Sequence, residues 1–139
     1  RSHLFSPRGD YTASEFPARV KINDGGNSGM YFRTAFGPAW PSGYEAQVNS
    51  THTDPVKTGS LYGLDKVLTR LVPPDTWFTQ QVTCRDEPAG TRITIRVNGV
   101  VVVDHLDRER RHAAGHFAFQ QHHDGSVVRY RDVEVRELR

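Results

Sequence analysis

Long polar side chains recur at every second position in separate segments of the chain. One segment carries Glu45, Gln47 and Asn49 with apolar residues between them, and another carries Gln120 and His122. Because side chains two apart on a β-strand project from the same face, each set is expected to share one face of a sheet. Carboxyl, amide and imidazole groups together can bind vicinal hydroxyl groups and transfer protons, which is chemistry that a carbohydrate site needs.

A third segment and two aromatic residues extend this candidate site. Tyr31 and Arg33 alternate with apolar neighbours, so we expect Arg33 to lie beside Glu45. Trp40 and Tyr62 provide rings that can stack on the C–H face of a sugar or, alternatively, fill the core. Plain solvation of an outer sheet face is the competing explanation of the whole pattern.

Two groups of residues resemble metal ligands. His122, His123 and Asp124 are adjacent, but neighbours on a strand point to opposite faces, so these side chains converge only where the strand has ended. Asp54 and Asp124 are the candidate ligands for calcium, although aspartates beside Pro or Gly usually form turns. The sequence therefore predicts no cofactor and no metal centre, with calcium as the alternative.

The elements that must position these side chains are predicted to be strands. Short alternating runs separated by turn residues fill the chain, and no long helical pattern appears. Asn98-Gly99 between residues 91–97 and 100–104 predicts a type I′ hairpin, and residues 60–64 are predicted as a short edge strand. Nine or ten such strands predict an all-β fold, an antiparallel two-sheet sandwich.

Composition limits the classes of partner. The 139 residues are expected to form one domain. The formal net charge is +2, and basic residues alternate with acidic ones, as in 107–111, so nucleic acid is not expected. No segment approaches the roughly 20 apolar residues of a membrane span, so no membrane partner is expected.

Longer stretches carry a resemblance to a known family. They are KINDGGNSGMYFR at 21–33, GYEAQVN at 43–49, TGSLY at 58–62, Trp77, VNG at 97–99, GHFAFQQH at 115–122 and VVRYRDVEV at 127–135. At these residues the sequence resembles the 3-keto-disaccharide hydrolase domains over nearly its whole length. The resemblance implies a concanavalin A-like jelly roll over residues 1–139, and it implies further strands before Arg1 in the natural domain.

The resemblance also implies an activity, hydrolysis of disaccharides oxidised at C3. Such a site needs a base for the acidified C2 hydrogen, an electrophile near the ketone oxygen and a proton donor for the leaving oxygen. On this basis Glu45 or His122 is expected as the base. Arg33 is expected to stabilise the enolate, and His52 or Tyr62 to donate the proton. The expected substrate-binding side chains are Tyr31, Trp40, Gln47, Tyr62 and Gln120.

Three alternatives to this enzyme remain open. A noncatalytic, lectin-like module would use the same face, because fold does not choose between binding and catalysis. A two-carboxylate glycosidase is less favoured because Glu45 is the one clear acid on the face, and a second acid within reach would revive it. The Trp40 loop could instead dock a protein partner. The resemblance implies a bacterial, periplasmic or extracellular protein, with other domains in a longer parent chain.

Overall fold

A computed structural model describes residues 2–138, and ten β-strands account for its regular structure. Their bounds are β1 (Ser2–Phe5), β2 (Ser14–Ile22), β3 (Ser28–Thr34), β4 (Tyr44–Val48), β5 (Phe78–Glu87), β6 (Gly90–Val97), β7 (Val100–Asp107), β8 (His116–Gln121), β9 (Val128–Arg131) and β10 (Arg136–Glu137). The described residues contain no helix able to cross a membrane.

The strands form two antiparallel sheets. The front sheet has the order β1-β8-β3-β4, and the back sheet has the order β10-β2-β5-β6-β7, with β9 also paired to β2. The three segments with alternating polar residues are β3, β4 and β8, and they lie next to one another in the front sheet. The predicted all-β, two-sheet sandwich is confirmed.

The core lies between the sheets and follows the alternation of the sequence. On β2, Phe16 and Val20 are buried and face the front sheet, while on β4 Tyr44, Ala46 and Val48 face back toward them. Each large apolar side chain buried in this way contributes about 1.5–3 kcal/mol. Burial of one face of β4 therefore fixes Glu45 and Gln47 on the other.

The hairpin between β6 and β7 is confirmed. Asn98 and Gly99 have φ angles of 50° and 81°, as a type I′ turn requires. The Asn98 side chain also accepts the backbone N–H of Thr79 at 3.0 Å. This bond ties the turn to β5.

The predicted strand at residues 60–64 does not form. Leu61 makes isolated bridges to Ala46 and to Asp65. Gly63 has a φ of 78°, which turns the chain back on itself at this point. A loop rather than a strand therefore continues the front sheet beyond β4.

Candidate functional site

A groove of about 370 Å³ lies on the outer face of the front sheet, within the range of small-molecule sites, which is roughly 300–1,000 Å³. Its lining comes from three strands and the loops beside them. The lining residues are Asn27, Tyr31, Trp40, Pro41, Gly43, Glu45, Gln47, Asp54, Tyr62, Gln120 and His122. The side chains predicted for the site are all among them except Arg33 and His52.

The Glu45 carboxyl group occupies space left open by Gly29. A β-carbon on residue 29 would stand 2.0 Å from Glu45 Oε2 and 2.7 Å from its Cδ. Gly29 pairs with Gln47 across β3 and β4, while Tyr31 pairs with Glu45. The absence of a side chain at Gly29 therefore lets the carboxyl group lie flat on the sheet.

Burial dominates the ionisation of Glu45. Only 9% of this residue is exposed, and loss of hydration raises the pKa of its carboxyl group to about 8. Hydrogen bonding from Tyr31 acts in the opposite direction, and the charge of Asp54 adds a smaller increase. Glu45 therefore changes charge near the pH at which most enzymes work.

Tyr31 connects Glu45 to β8. The amide of Gln120 donates to the Tyr31 hydroxyl group at 2.9 Å. Burial, followed by the nearby Glu45 carboxylate, raises the pKa of Tyr31 above its ordinary value, so the phenol keeps its proton. The phenol is thus a hydrogen-bond donor held in place beside the carboxyl group.

Two aromatic side chains stand at the rim of the groove. Trp40 and Tyr62 are about half exposed, with relative exposures of 50% and 47%, so neither fills the core. The Tyr62 hydroxyl group lies 3.3 Å from Asp54 Oδ2. Burial and the charge of Asp54 raise the pKa of Tyr62.

The buried side chain of Asn49 braces the loop from Asn49 to Thr58. Asn49 donates to the carbonyl groups of Asp54 and Val56, both at 2.9 Å, and accepts the backbone N–H of His52 at 2.9 Å. Its own backbone N–H donates to Thr58 Oγ1. These bonds fix the part of the loop that carries His52 and Asp54.

His122 lines the groove, and His52 stands behind it. Their ring centroids are 5.3 Å apart, and the His122 ring lies 5.7 Å from that of Trp40. Burial is the main cause that lowers the pKa of both imidazoles, and the neighbouring histidines add to it. Both rings are therefore held toward the neutral form.

Arg33 lies outside the groove, so the prediction that it sits beside Glu45 is wrong. Its buried guanidinium group donates to the carbonyl groups of Thr12 and His112 and to the carboxylate of Asp86, each at 3.1 Å. These partners lie on other elements of the sandwich. Arg33 therefore ties loops to the back sheet and contributes no positive charge to the groove.

An irregularity in β3 causes this change of direction. The register between β3 and β8 shifts between Tyr31 and Thr34, and Arg33 has a φ of 49°. A bulge of this kind re-aims the side chain at the extra residue. Gly115 on the far side makes it possible, since a β-carbon there would meet the Arg33 carbonyl carbon at 2.5 Å.

Sequence reasoning missed Asn27 and left the direction of Asp54 open. The sequence could have identified Asn27, because it lies two and four residues before Gly29 and Tyr31 and so is expected on the same sheet face. Asp54 had none, since it lies in an irregular loop where no period applies. Its carboxylate accepts the backbone N–H of Val56 at 2.9 Å, the turn-forming role that its place before proline predicts.

A two-sheet sandwich with a polar, aromatic-rimmed groove on one sheet is the architecture of concanavalin-like carbohydrate-handling domains. The profile of the 3-keto-alpha-glucoside-1,2-lyase-like domain matches residues 1–136, and the chain belongs to this family. The resemblance inferred from the sequence motifs is thereby confirmed. No curated protein sequence gives a significant match.

Solved structures share the fold at low sequence identity. A candidate glycosyl hydrolase from Parabacteroides distasonis is 19% identical, with a TM-score of 0.77 over 98% of this chain and 87% of its own. The carbohydrate-binding module CBM66 from Bacillus subtilis is 16% identical, with a TM-score of 0.70 over 97% and 83%. The alginate lyase Aly36B is 15% identical, with a TM-score of 0.62 over 99% and 74%.

Proposed function

We propose that this domain acts on 3-keto-glucosides, removing the group on C1 by base-assisted elimination, with hydration completing net hydrolysis. The observation that carries the proposal is the buried Glu45 carboxyl group on the floor of the groove, whose pKa is raised to about 8. A general base works best when its pKa lies near the working pH. The family to which the chain belongs supports the choice of substrate.

The ketone of the substrate determines what the groove must supply. A carbonyl group at C3 acidifies the hydrogen on C2, so a base can remove that proton and leave an enolate. The electron pair then forms the C1–C2 double bond as the C1–O bond breaks, and the departing oxygen takes a proton. Addition of water across the double bond gives the free 3-keto sugar.

Glu45 is proposed as the base that takes the C2 proton. Its ionised form is the stronger base because it is poorly hydrated in the groove. His122 is the second candidate for this role, since its imidazole lines the same groove and is held toward the neutral form. If Glu45 is the base, Glu45→Gln should abolish proton transfer. If His122 is the base, His122→Ala should do so.

Amide groups are proposed to replace Arg33 as the electrophile. Gln47 and Gln120 line the groove, and each amide nitrogen carries two N–H donors. Gln120 uses one of them on Tyr31, which leaves the other for an enolate oxygen. Neutral donors in a partly buried site stabilise developing negative charge without the cost of burying an ion.

Tyr62 is proposed as the proton donor for the leaving oxygen. It stands at the rim, where the departing group would exit, and the raised pKa keeps its phenol protonated. His52 was the other expected donor, but it stands behind His122 and does not line the groove. Tyr62→Phe should therefore slow release of poor leaving groups more than release of nitrophenol.

The test is turnover of 3-keto-trehalose and other 3-keto-glucosides, followed by detection of the released glucose or alcohol. Glu45→Gln should lower kcat by at least about a hundredfold, in keeping with general base catalysis. Glu109→Gln provides the matched control, because its side chain is 74% exposed and pairs with Arg111. Full activity in both Glu45→Gln and His122→Ala would overturn the proposed site.

A noncatalytic sugar-binding module is the second candidate, and the exposed Trp40 ring at the rim favours it. Calorimetry with unoxidised glucosides separates the two functions. Binding that Trp40→Ala abolishes, together with intact 3-keto-glucosides after long incubation, would establish the module and exclude the enzyme.

A glycosidase mechanism with two carboxylates is a further alternative to be tested, because Asp54 lines the groove together with Glu45. Its carboxylate already accepts the Val56 N–H and contacts the Tyr62 hydroxyl group. Nitrophenyl glucosides without a ketone distinguish this chemistry. If nitrophenyl glucosides were hydrolysed as fast as 3-keto-glucosides, the mechanism would be direct hydrolysis and not elimination.

A further inference from the structure

Three histidine side chains meet beside the groove. His52, His122 and His123 each offer a ring nitrogen, and these nitrogen atoms all lie within 4.8 Å of one another. The Nδ1 atoms of His122 and His123 are 3.1 Å apart. We refer to these residues as the histidine cluster.

The backbone permits this convergence because β8 ends at Gln121. Strand alternation would send His122 and His123 to opposite faces, but both lie beyond the last strand residue, so their side chains can reach one site. The Gln121 side chain donates to the carbonyl groups of His123 and Ser126, at 3.1 and 2.8 Å. The turn that carries His123 is therefore held to the end of the strand.

His52 reaches the cluster from the loop braced by Asn49. The Asn49 side chain accepts the backbone N–H of His52, and Lys57 Nζ donates to the His52 carbonyl group at 2.6 Å. Two separately braced segments thus bring their imidazoles together. No hydrophobic packing of the core demands this meeting, because all three rings are only partly buried.

We propose that the histidine cluster binds a transition-metal ion of borderline softness, such as zinc or nickel. In a tetrahedral complex with metal–nitrogen bonds of about 2.0–2.1 Å, the ligand nitrogens stand about 3.3 Å apart. The pair formed by His122 and His123 already has nearly this spacing. A shift of the His52 ring by about 1.5 Å or less completes the triangle.

A buried acceptor beside His52 supports the site. A metal-bound imidazole donates its second ring N–H to an acceptor, which fixes the tautomer. The Asn27 amide lies 3.3 Å from His52 Nδ1, and Asn27 is buried, with Oδ1 lacking a hydrogen-bond partner in the described structure. Rotation of the amide by half a turn lets His52 Nδ1–H donate a hydrogen bond to Asn27 Oδ1, and His52 Nε2 is then the nitrogen that binds the metal ion.

This rotation has one local consequence. His52 Nδ1 accepts the backbone N–H of Asp54 at 3.0 Å, and that bond must open when Nδ1 carries the proton. On metal binding, His52 Nδ1 therefore loses the hydrogen bond from the Asp54 backbone N–H and gains one to the Asn27 amide oxygen. An Asn27 variant should lose metal affinity even though residue 27 does not touch the ion.

The ligand set determines the class of ion. Imidazole nitrogens suit zinc, nickel and copper, whereas calcium and magnesium require oxygen ligands. Three protein ligands leave a fourth tetrahedral position open, as in sites that also bind water or a ligand. Because His122 also lines the groove, that position is open to a hydroxyl or carbonyl oxygen of a groove ligand.

The test is metal binding by the full chain, purified without a polyhistidine tag and stripped with a chelator. Calorimetric titration with zinc chloride and nickel chloride should give one ion per chain. His52→Ala, His122→Ala and His123→Ala should each weaken binding at least about a hundredfold, and Asn27→Ala about 10–100-fold. Cobalt(II) should give the strong visible absorption of a tetrahedral complex, lost in the same variants.

His105→Ala is the matched control, because this half-buried histidine lies on β7 beside Asp65. Binding that His105→Ala weakens as much as the cluster variants would overturn the proposal, as would unchanged binding in folded cluster variants. Circular dichroism establishes that each variant is folded. No sugar is present in these titrations, so their outcome is independent of the proposed activity.

Discussion

Glu45 and Gly29 occupy one volume on neighbouring strands, with the carboxyl group of the first resting where a side chain of the second would be. A glycine in the middle of a strand ordinarily weakens it. Here the missing side chain creates the floor of the groove. The placement of the proposed base thus depends on a residue that has no functional group.

Gly29→Ala is expected to displace the Glu45 carboxyl group and lower kcat/KM for a 3-keto-glucoside at least about tenfold, because misplacing a catalytic group is costly. The Tm should change little, since the far end of a side chain can move aside. Gly37→Ala is the control, because nothing lies within 4 Å of a β-carbon there. Equal activity of the two variants would show that the carboxyl position is unimportant.

The pH dependence of activity should report the ionisation of Glu45. As the base, it must be ionised, so kcat/KM is expected to rise with pH through a midpoint near 8. Burial is the main cause of the raised pKa of Glu45, while Tyr31 lowers this pKa and Asp54 raises it. A profile that falls through the same range would mean that Glu45 acts as an acid.

Tyr31→Phe should move that midpoint upward. The phenol donates to the carboxylate and favours its ionised form, so its removal raises the pKa of Glu45 further. The change also leaves the Gln120 amide without its partner. Steady-state rates from pH 6 to 10 measure the shift, and Tyr11→Phe, packed against Phe117 away from the groove, should show none.

Glu45→Gln is expected to stabilise the protein at pH 9 and to leave the Tm nearly unchanged at pH 5. The folded pKa of about 8 lies above the ordinary 4.5, so the folded state holds a proton that the unfolded state releases. Stability of the parent protein therefore falls as pH rises from about 4.5 to 8. Thermal denaturation at both pH values measures the difference, and an equal effect at pH 5 would contradict it.

Arg33→Met should destabilise the fold without lowering the specific activity of the folded fraction. The substitution removes three hydrogen bonds from a buried cation, at an expected cost of about 2–4 kcal/mol. Urea denaturation measures the loss. Arg92→Met breaks the partly exposed ion pairs with Glu87 and Asp104 and should cost much less stability than Arg33→Met, because solvent screens such pairs.

The part of the site that obeys strand periodicity could be predicted from the sequence. Glu45 and Gln47 were placed on one face by their apolar neighbours, and the structure puts them in the groove. Arg33 could not be placed, because a bulge depends on how two strands meet and not on the residue itself. The sequence of β3 by itself does not show where its pairing with β8 shifts.

The positions of site residues in loops could not be predicted from the sequence either. Asp54 and His52 belong to a segment without a period, and its shape depends on side-chain bonds to its backbone, those of Asn49 among them. The convergence of His123 with His52 depends on where β8 stops, which is at the residue before His122. Sequence reasoning fixes the existence of a strand better than its last residue.

The bracing of residues 49–58 by Asn49 has a consequence for association with a ligand. One wall of the groove is rigid before any sugar arrives, because its backbone carbonyl groups are already engaged by an amide that belongs to the sheet edge. Ligand binding then orders few additional backbone torsions, so the loss of conformational entropy in this loop is small. This wall of the groove is therefore preformed for its ligand.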